Sequence, residues 1–345
     1  MVNKLRENIP IPLPPLEIDD AGIDLDRDTL LNMYWQMVRS RRLDERGWVL
    51  HRQGKIAFHI SGLGHEAIQV GTAFAIQVGW DYVHPYYRDL ALNIAMGYQP
   101  QEFMLAIYGK DGEPTSGARQ MPSHFGLKRL NIVSGSSPVA TQVPQAAGMA
   151  LAAKLRGEDR VVVTCLGEGS TSQGEWYEGM NWAGVHKLPL ICIVQNNVYA
   201  ISVPITMQMA VPNVADRAPM FGVRGVIVDG NDVLASYRAV KEAVDIARAG
   251  GGATLLEAKT YRPTPHSSDD DDRTYRTREE VEEWKQRDPI QRFQVYLKDK
   301  GILTEALIEE YEARARQEID AAQAFAEAAP YPPPESALGP VFASE

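Results

Sequence analysis

The sequence predicts an α/β fold, a parallel sheet flanked by helices, and two observations carry that prediction. Short apolar runs of strand length alternate with longer segments of helical spacing, the pattern of successive βαβ units. The runs at 161–166 (VVVTCL) and 190–194 (LICIV) are continuously apolar, as strands covered on both faces by crossover helices must be. A chain of 345 residues can bury a sizeable core without covalent staples.

In chain order, residues 1–25 carry IPIPLPPLEIDD, with Pro10, Pro12, Pro14 and Pro15, and predict an extended arm that drapes over something else. A helix begins near Asp26 or Asp28: Leu30, Met33, Tyr34 and Met37 recur at helical spacing before the charged stretch RSRRLDER. Helices follow at 65–78, 99–108 and 143–156. The strands at 161–166 and 190–194 enclose a helix at 173–187, and strands at 223–228 and 253–258 enclose another at 234–249. A long Ala/Glu-rich helix at 303–329 is stopped by PYPPP at 330–334. This divides the chain into an arm (1–25), one α/β domain ending in a helical segment (26–329) and a Pro-rich tail (330–345). No internal repeat is present.

Composition excludes several classes. Cys165 and Cys192 each sit inside an apolar run, which rules out a disulfide scaffold and suits a reducing compartment. No apolar stretch approaches the roughly 18 residues of a membrane span, and the polar, Pro-rich opening is unlike a signal or transit peptide. The expected location is cytoplasmic, or the mitochondrial matrix only if a transit peptide has been removed. Lys plus Arg total 35 against 45 Asp plus Glu, a net charge of -10 with no basic tract, which argues against nucleic acid as a partner.

The chemistry concentrates at the ends of two strands. The first runs into Gly167-Glu168-Gly169-Ser170-Thr171, and the second into Gln195-Asn196-Asn197. In a parallel sheet both loops leave the carboxyl edge, where such folds bind ligands. Neighbouring strands lie about 5 Å apart, so Glu168 and Asn197 can converge on one hard cation. A carboxylate and an amide oxygen, completed by water and phosphate oxygens, suit magnesium. The glycines admit backbone to the phosphates, and a helix starting near Gln173 turns its N-terminus to the anion. A P-loop is rejected because Glu175, not Lys, follows Gly174. The spacing G-x-G-x-x-x-x-G, with a second strand ending in Gln-Asn-Asn, also fails the dinucleotide fingerprint and disfavours a nicotinamide-dependent oxidoreductase. With 26 residues between Gly169 and Asn196, the pair resembles the thiamine diphosphate motif, in which Gly-Asp-Gly and Asn-Asn hold magnesium and diphosphate; here Glu168 replaces Asp.

From that motif outward, residues 28–300 resemble the alpha subunit of the decarboxylating component of 2-oxo acid dehydrogenase complexes, nearest to the branched-chain 2-oxoisovalerate group. The matching stretches are GLGHEAIQVG (62–71), YYRDLAL (86–92), ARQMPSHFG (118–126), SSPVATQVPQAAG (136–148), GEGSTSQGEWYEGMNWA (167–183), QNNVYAIS (195–202) and YRPTPHSSDDDDRTYR (261–276). Seven ordered blocks make chance similarity improbable. The resemblance implies the diphosphate-binding type of thiamine diphosphate fold, with magnesium held by Glu168, Asn197 and the carbonyl of Tyr199. Tyr87, Arg88, Gly169 and Ser170 would contact the diphosphate, Ser137 and Val139 the aminopyrimidine. Val139 stands where relatives often carry Leu, Gln195 where branched-chain relatives often place a diphosphate-binding Arg, and Tyr86 replaces a polar neighbour. Ser136, the carbonyl of Pro138, Thr141 and Gln142 resemble a potassium site; as residues alone they also suit a capped turn before a helix.

His266 is the catalytic residue the resemblance implies, a proton donor beside the diphosphate and the entering lipoyl group, with an ordinary pKa near 6.5. Arg262, Asp270, Tyr275 and Arg276 would organise its loop, whereas Asp271 and Asp272 read as a solvated acidic turn. Ser267 matches the position phosphorylated in mitochondrial relatives. The implied reaction is oxidative decarboxylation of a branched-chain 2-oxo acid, with acyl transfer to lipoyl-lysine of a dihydrolipoyl acyltransferase. The alternatives are pyruvate or acetoin dehydrogenase alpha subunits; a non-catalytic interaction subunit could have kept the fold while losing Glu168 or Asn197, and both are present. The glutamate that activates the cofactor's pyrimidine would come from a beta subunit in a heterotetramer of two alpha and two beta chains.

Overall fold

The computed structural model describes residues 14–339; Pro10, Pro12 and the last residues of the Pro-rich tail lie outside them. Five strands form one sheet, β1 (Tyr82–His84), β2 (Val162–Gly167), β3 (Leu190–Asn196), β6 (Arg224–Asp229) and β7 (Thr254–Lys259), in the order β1-β2-β3-β7-β6. Every neighbouring pair is parallel. Gly167 stands opposite Gln195 in the β2–β3 register, so the two motif-bearing loops leave the same edge side by side. A separate two-stranded hairpin, β4 (Tyr199–Ala200) with β5 (Val203–Pro204), follows directly.

Helices cover both faces: α1 (Arg27–Arg52), α2 (Glu66–Ala75), α3 (Leu90–Met96), α4 (Pro100–Tyr108), α5 (Gln142–Leu155), α6 (Gly174–Val185), α7 (Ile205–Gln208), α8 (Val233–Arg248), α9 (Arg278–Lys285), α10 (Pro289–Asp299) and α11 (Glu305–Ala328). The β2 and β3 residues Val162, Val163, Leu190, Ile191 and Ile193 are wholly buried, as their unbroken apolar runs require. Asp26 caps α1 by accepting from Thr29 N at 2.7 Å. The charged stretch of α1 has two uses. Arg39, Arg42 and Arg46 reach across to Glu318, Glu312 and Asp320 of α11, whereas Arg41 turns inward to Glu66 and Asp288.

Residues 14–25 have no helix or strand and lie against α8 and α10. Arg292 of α10 holds them through Nε to the carbonyl of Leu16 at 3.0 Å and Nη2 to that of Glu17 at 2.9 Å, while Nη1 pairs with Asp229 at 2.8 Å. Past α11, Tyr331 stacks over Lys110 at the end of α4.

Several elements are absent from the sequence reading: β1, α3, the β4–β5 hairpin, α7, α9 and α10. β1 has three residues and α3 seven, each too short to show a period. β3 runs on to Asn196, taking Gln195 and Asn196 into the sheet. The expected helix start at Gln173 is preceded by a 3₁₀ turn at Glu168–Ser172, which bends the chain away from the sheet edge. Among the described residues no helix is long and apolar enough to cross a membrane.

Candidate active site

A cavity of about 400 Å³ opens at the carboxyl edge of β2 and β3. Its wall brings together Tyr87, Arg88, Ser137, Val139, Glu168, Gly169, Ser170, Asn197, Tyr199 and His266, residues up to 179 positions apart in the chain. The 3₁₀ turn, rather than α6, presents Gly169 and Ser170 to it.

Three buried oxygens on residues of this wall lack partners, the Tyr86 hydroxyl and one oxygen each of Glu168 and Asn197. Glu168 Oε2 accepts from the backbone N–H of Asn197 at 3.0 Å, which leaves Oε1 unpaired, and Asn197 Oδ1 is likewise unpaired. Unpaired buried acceptors are costly. Burial pushes the Glu168 carboxyl above its ordinary pKa, and a divalent cation between the Glu168 and Asn197 oxygens would offset both costs. Among the described residues no three His, Cys, Asp or Glu side chains converge on a metal-sized space. A cation here would therefore be completed by neutral protein oxygens and by ligand oxygens, as magnesium accepts. Val198, between Asn197 and Tyr199, has φ of +69°, a costly conformation for a β-branched residue. That reversal keeps both its neighbours on the cavity wall.

Arg88, only 2 % exposed, is held from two sides. Nη1 donates to the carbonyl of Ser61 at 2.7 Å, and Nη2 to His266 Nδ1 at 2.9 Å and the His266 carbonyl at 3.0 Å. The Ser61 turn is itself braced by Asp44, whose carboxylate accepts from Gly62 N at 2.7 Å and from the buried His59 ring at 2.9 Å. Because Nδ1 of His266 accepts from an arginine, its ring proton resides on Nε2. Burial, reinforced by the charges of Arg88 and Arg262, pushes the His266 pKa down to about 3.

The His266 loop is held by side chains from its own neighbourhood. Asp270 accepts from His266 N at 2.7 Å and from the Tyr275 hydroxyl. Arg262 donates to the carbonyl of Ile201 at 2.9 Å, and Arg276 donates to the carbonyls of Arg262 and Thr264. Asp272 departs from the solvated-turn reading, because its carboxylate pairs with the buried Arg276 and fixes that side chain. Asp271 pairs with Arg273 at the surface, as a solvated residue would.

Gln195 is not brought to the cavity wall. Its Nε2 donates to Asp89 at 2.6 Å and its Oε1 accepts from Gln69 at 3.0 Å, so both ends of the amide are spent inside the sheet edge. In the 136–142 segment, Ser136 Oγ, Thr141 Oγ1 and the carbonyl of Pro138 lie within 2.7–3.4 Å of one another, while Gln142 Nε2 donates to the carbonyl of Cys165 at 2.8 Å. Phe58, Ile60, Tyr86, Met121, Pro122, His124 and Ile201 also line the cavity. Of these His124 carries chemistry. Its Nδ1 donates to the carbonyl of Met121 at 2.8 Å, so its bare Nε2 accepts from Ser137 Oγ at 2.7 Å and fixes that hydroxyl. The ARQMPSHFG block was the available signal, but nothing in its spacing distinguishes this histidine.

Residues 34–335 match the family model described as "Dehydrogenase E1 component". The 2-oxoisovalerate dehydrogenase subunit alpha of Bacillus subtilis is 50% identical over 322 residues, 93% of this chain and 98% of its own length. The 3-methyl-2-oxobutanoate dehydrogenase subunit alpha of Mycobacterium tuberculosis is 40% identical over 85% of this chain and 77% of its own length. The pyruvate dehydrogenase E1 component subunit alpha of Staphylococcus aureus is also 40% identical, over 88% of this chain and 80% of its own length.

Proposed function

Because the chain belongs to the dehydrogenase E1 component family, as an alpha subunit of a thiamine diphosphate-dependent 2-oxo acid dehydrogenase, we propose that it works on branched-chain 2-oxo acids. With a beta subunit, in a heterotetramer of two alpha and two beta chains, it decarboxylates them and passes the acyl group to lipoyl-lysine of a dihydrolipoyl acyltransferase. The carrying observation is the pair of unpaired buried oxygens on Glu168 and Asn197 in the wall of the cavity at the sheet edge. In this reading residues 26–329 are the cofactor-binding domain, with the N-terminal arm and Pro-rich tail as appendages.

Glu168, Asn197 and the carbonyl of Tyr199 hold magnesium, and Arg88, Tyr87 and the N–H groups of Gly169 and Ser170 take the diphosphate by charge-assisted hydrogen bonds. Ser136, Pro138, Thr141 and Gln142 offer neutral oxygens to a potassium ion, which would replace the contacts that Ser136 and Thr141 now make with each other. When bound, thiamine diphosphate supplies the reactive carbon and the sink for the electrons released with carbon dioxide. Val139 props the ring system and Ser137, oriented by His124, hydrogen-bonds it. His266 holds its proton on Nε2, available to the sulfur of an entering lipoyl group. The apolar side chains of Phe58, Ile60, Met121 and Ile201 on the cavity wall suit a branched aliphatic substrate.

Support for the substrate comes from the 50% identity to the Bacillus subtilis protein against 40% for the pyruvate relative. The test is the initial rate of the reconstituted alpha–beta assembly on 3-methyl-2-oxobutanoate and on pyruvate. A higher kcat/KM for the branched substrate is expected; preference for pyruvate would overturn the substrate assignment.

A further inference from the structure

We propose that His65 is a positioning residue that fixes the Asn197 side-chain amide with its oxygen, rather than its nitrogen, toward the cation site. The proposal rests on the reading of Asn197 as a magnesium ligand. An asparagine amide has two ends of nearly equal size, and only the oxygen can bind a cation. Something must choose between them.

His65 makes the choice through its tautomer. Its Nδ1 lies 3.1 Å from the carbonyl of Leu63, an atom that can only accept, so Nδ1 carries the ring proton. Nε2 is then a bare acceptor, 3.3 Å from Asn197 Nδ2, which donates to it. With the amide turned the other way, Oδ1 would face that lone pair and Nδ2 would point at the cation. As it stands, Oδ1 is the end left buried without a partner. The ring is wholly buried and its backbone cannot drift. Gly64, at φ of +85°, brings the turn so close to the next loop that a Cβ there would lie 2.1 Å from the carbonyl oxygen of Tyr261. Gly64 N also donates to Glu66 at 2.9 Å, a carboxylate pinned by Arg41. The loops after β3 and β7 and the start of α2 thus share one rigid junction, and the histidine reads the amide from it.

The experiment measures, on the assembled alpha–beta protein, the magnesium concentration that half-saturates thiamine diphosphate binding, by calorimetry. The thermal midpoint without magnesium reports folding separately. Asn197→Ala tests the ligand reading itself: unchanged magnesium dependence would remove the ligand role and this proposal with it. Given a loss there, His65→Leu is expected to raise the half-saturating magnesium about 10- to 100-fold, the usual range for a partner of a metal ligand. His65→Gln, whose Oε1 can still accept, should stay near the parent. In an Asn197→Asp background, where both ends are oxygen and none need be chosen, His65→Leu should not raise the half-saturating magnesium. Parent-like magnesium dependence in His65→Leu, or an equal loss in the Asp background, would overturn the positioning role and leave the ligand reading standing. If His65→Leu does not assemble, a crystal of the parent with manganese decides. Asn197 Nδ2 on His65 Nε2 with Oδ1 on the metal supports the proposal, and a ring turned from Asn197 refutes it.

Discussion

Arg88 sets the electrostatics of the site because its buried charge acts on His65, Glu168, Arg262 and His266. For His266 the consequence is a pH dependence of known sign. The folded chain keeps this ring neutral down to about pH 3, whereas an unfolded histidine takes up a proton near 6.5. The unfolded state therefore binds more protons between those values, and stability is lost as pH falls through that window. His266→Asn should decline less steeply. The thermal midpoint of the cofactor-free variant minus that of the parent should grow between pH 7.5 and 5, and a constant difference would contradict the depressed pKa. The places of Glu168, Asn197 and His266 on the cavity wall were legible because motif blocks carry them. Gln195 was not, because the groups that claim its amide, Gln69 and Asp89, lie 126 and 106 positions away and no spacing announces them.

Among the elements, α6 shows how closely the layers approach. Gly184, in its last turn, lies under the segment before β6, where an added Cβ would sit 1.8 Å from the carbonyl oxygen of Phe221. Backbone cannot yield as a flexible side chain can. Gly184→Ala is expected to destabilise the protein by at least ~2 kcal/mol, read as a lower urea midpoint with unchanged slope; a neutral result would mean that α6 can slide. The periodic segments were legible because a buried strand or an amphipathic helix must repeat its apolar pattern. β1 was not, since three residues hold no period and its place beside β2 depends on pairing with Val162–Thr164. The charged stretch of α1 was seen as helix, but its pairing with α11, some 270 residues away, is tertiary information.

For the whole molecule, the cavity has Glu168 as its only lining carboxylate among the described residues, and in the proposed reading that group is spent on the cation. A second carboxylate must come from elsewhere to activate the pyrimidine. The chain alone should therefore bind the cofactor weakly and show no decarboxylation, with turnover appearing on titration with the beta subunit. Full turnover by the chain by itself would refute this division of labour. The sequence made the missing half legible only through family resemblance, since a group supplied by another chain leaves no mark on this one.

The clasp on the N-terminal arm has a different kind of consequence. Arg292 grips Leu16 and Glu17 by their carbonyl oxygens, and Arg287 takes the carbonyl of Pro14 in the same way. Every residue type presents that oxygen. The lock is therefore indifferent to spelling: the arm's side chains are free to drift among descendants of this protein, or to be rewritten by an engineer, while its path across α10 stays the same.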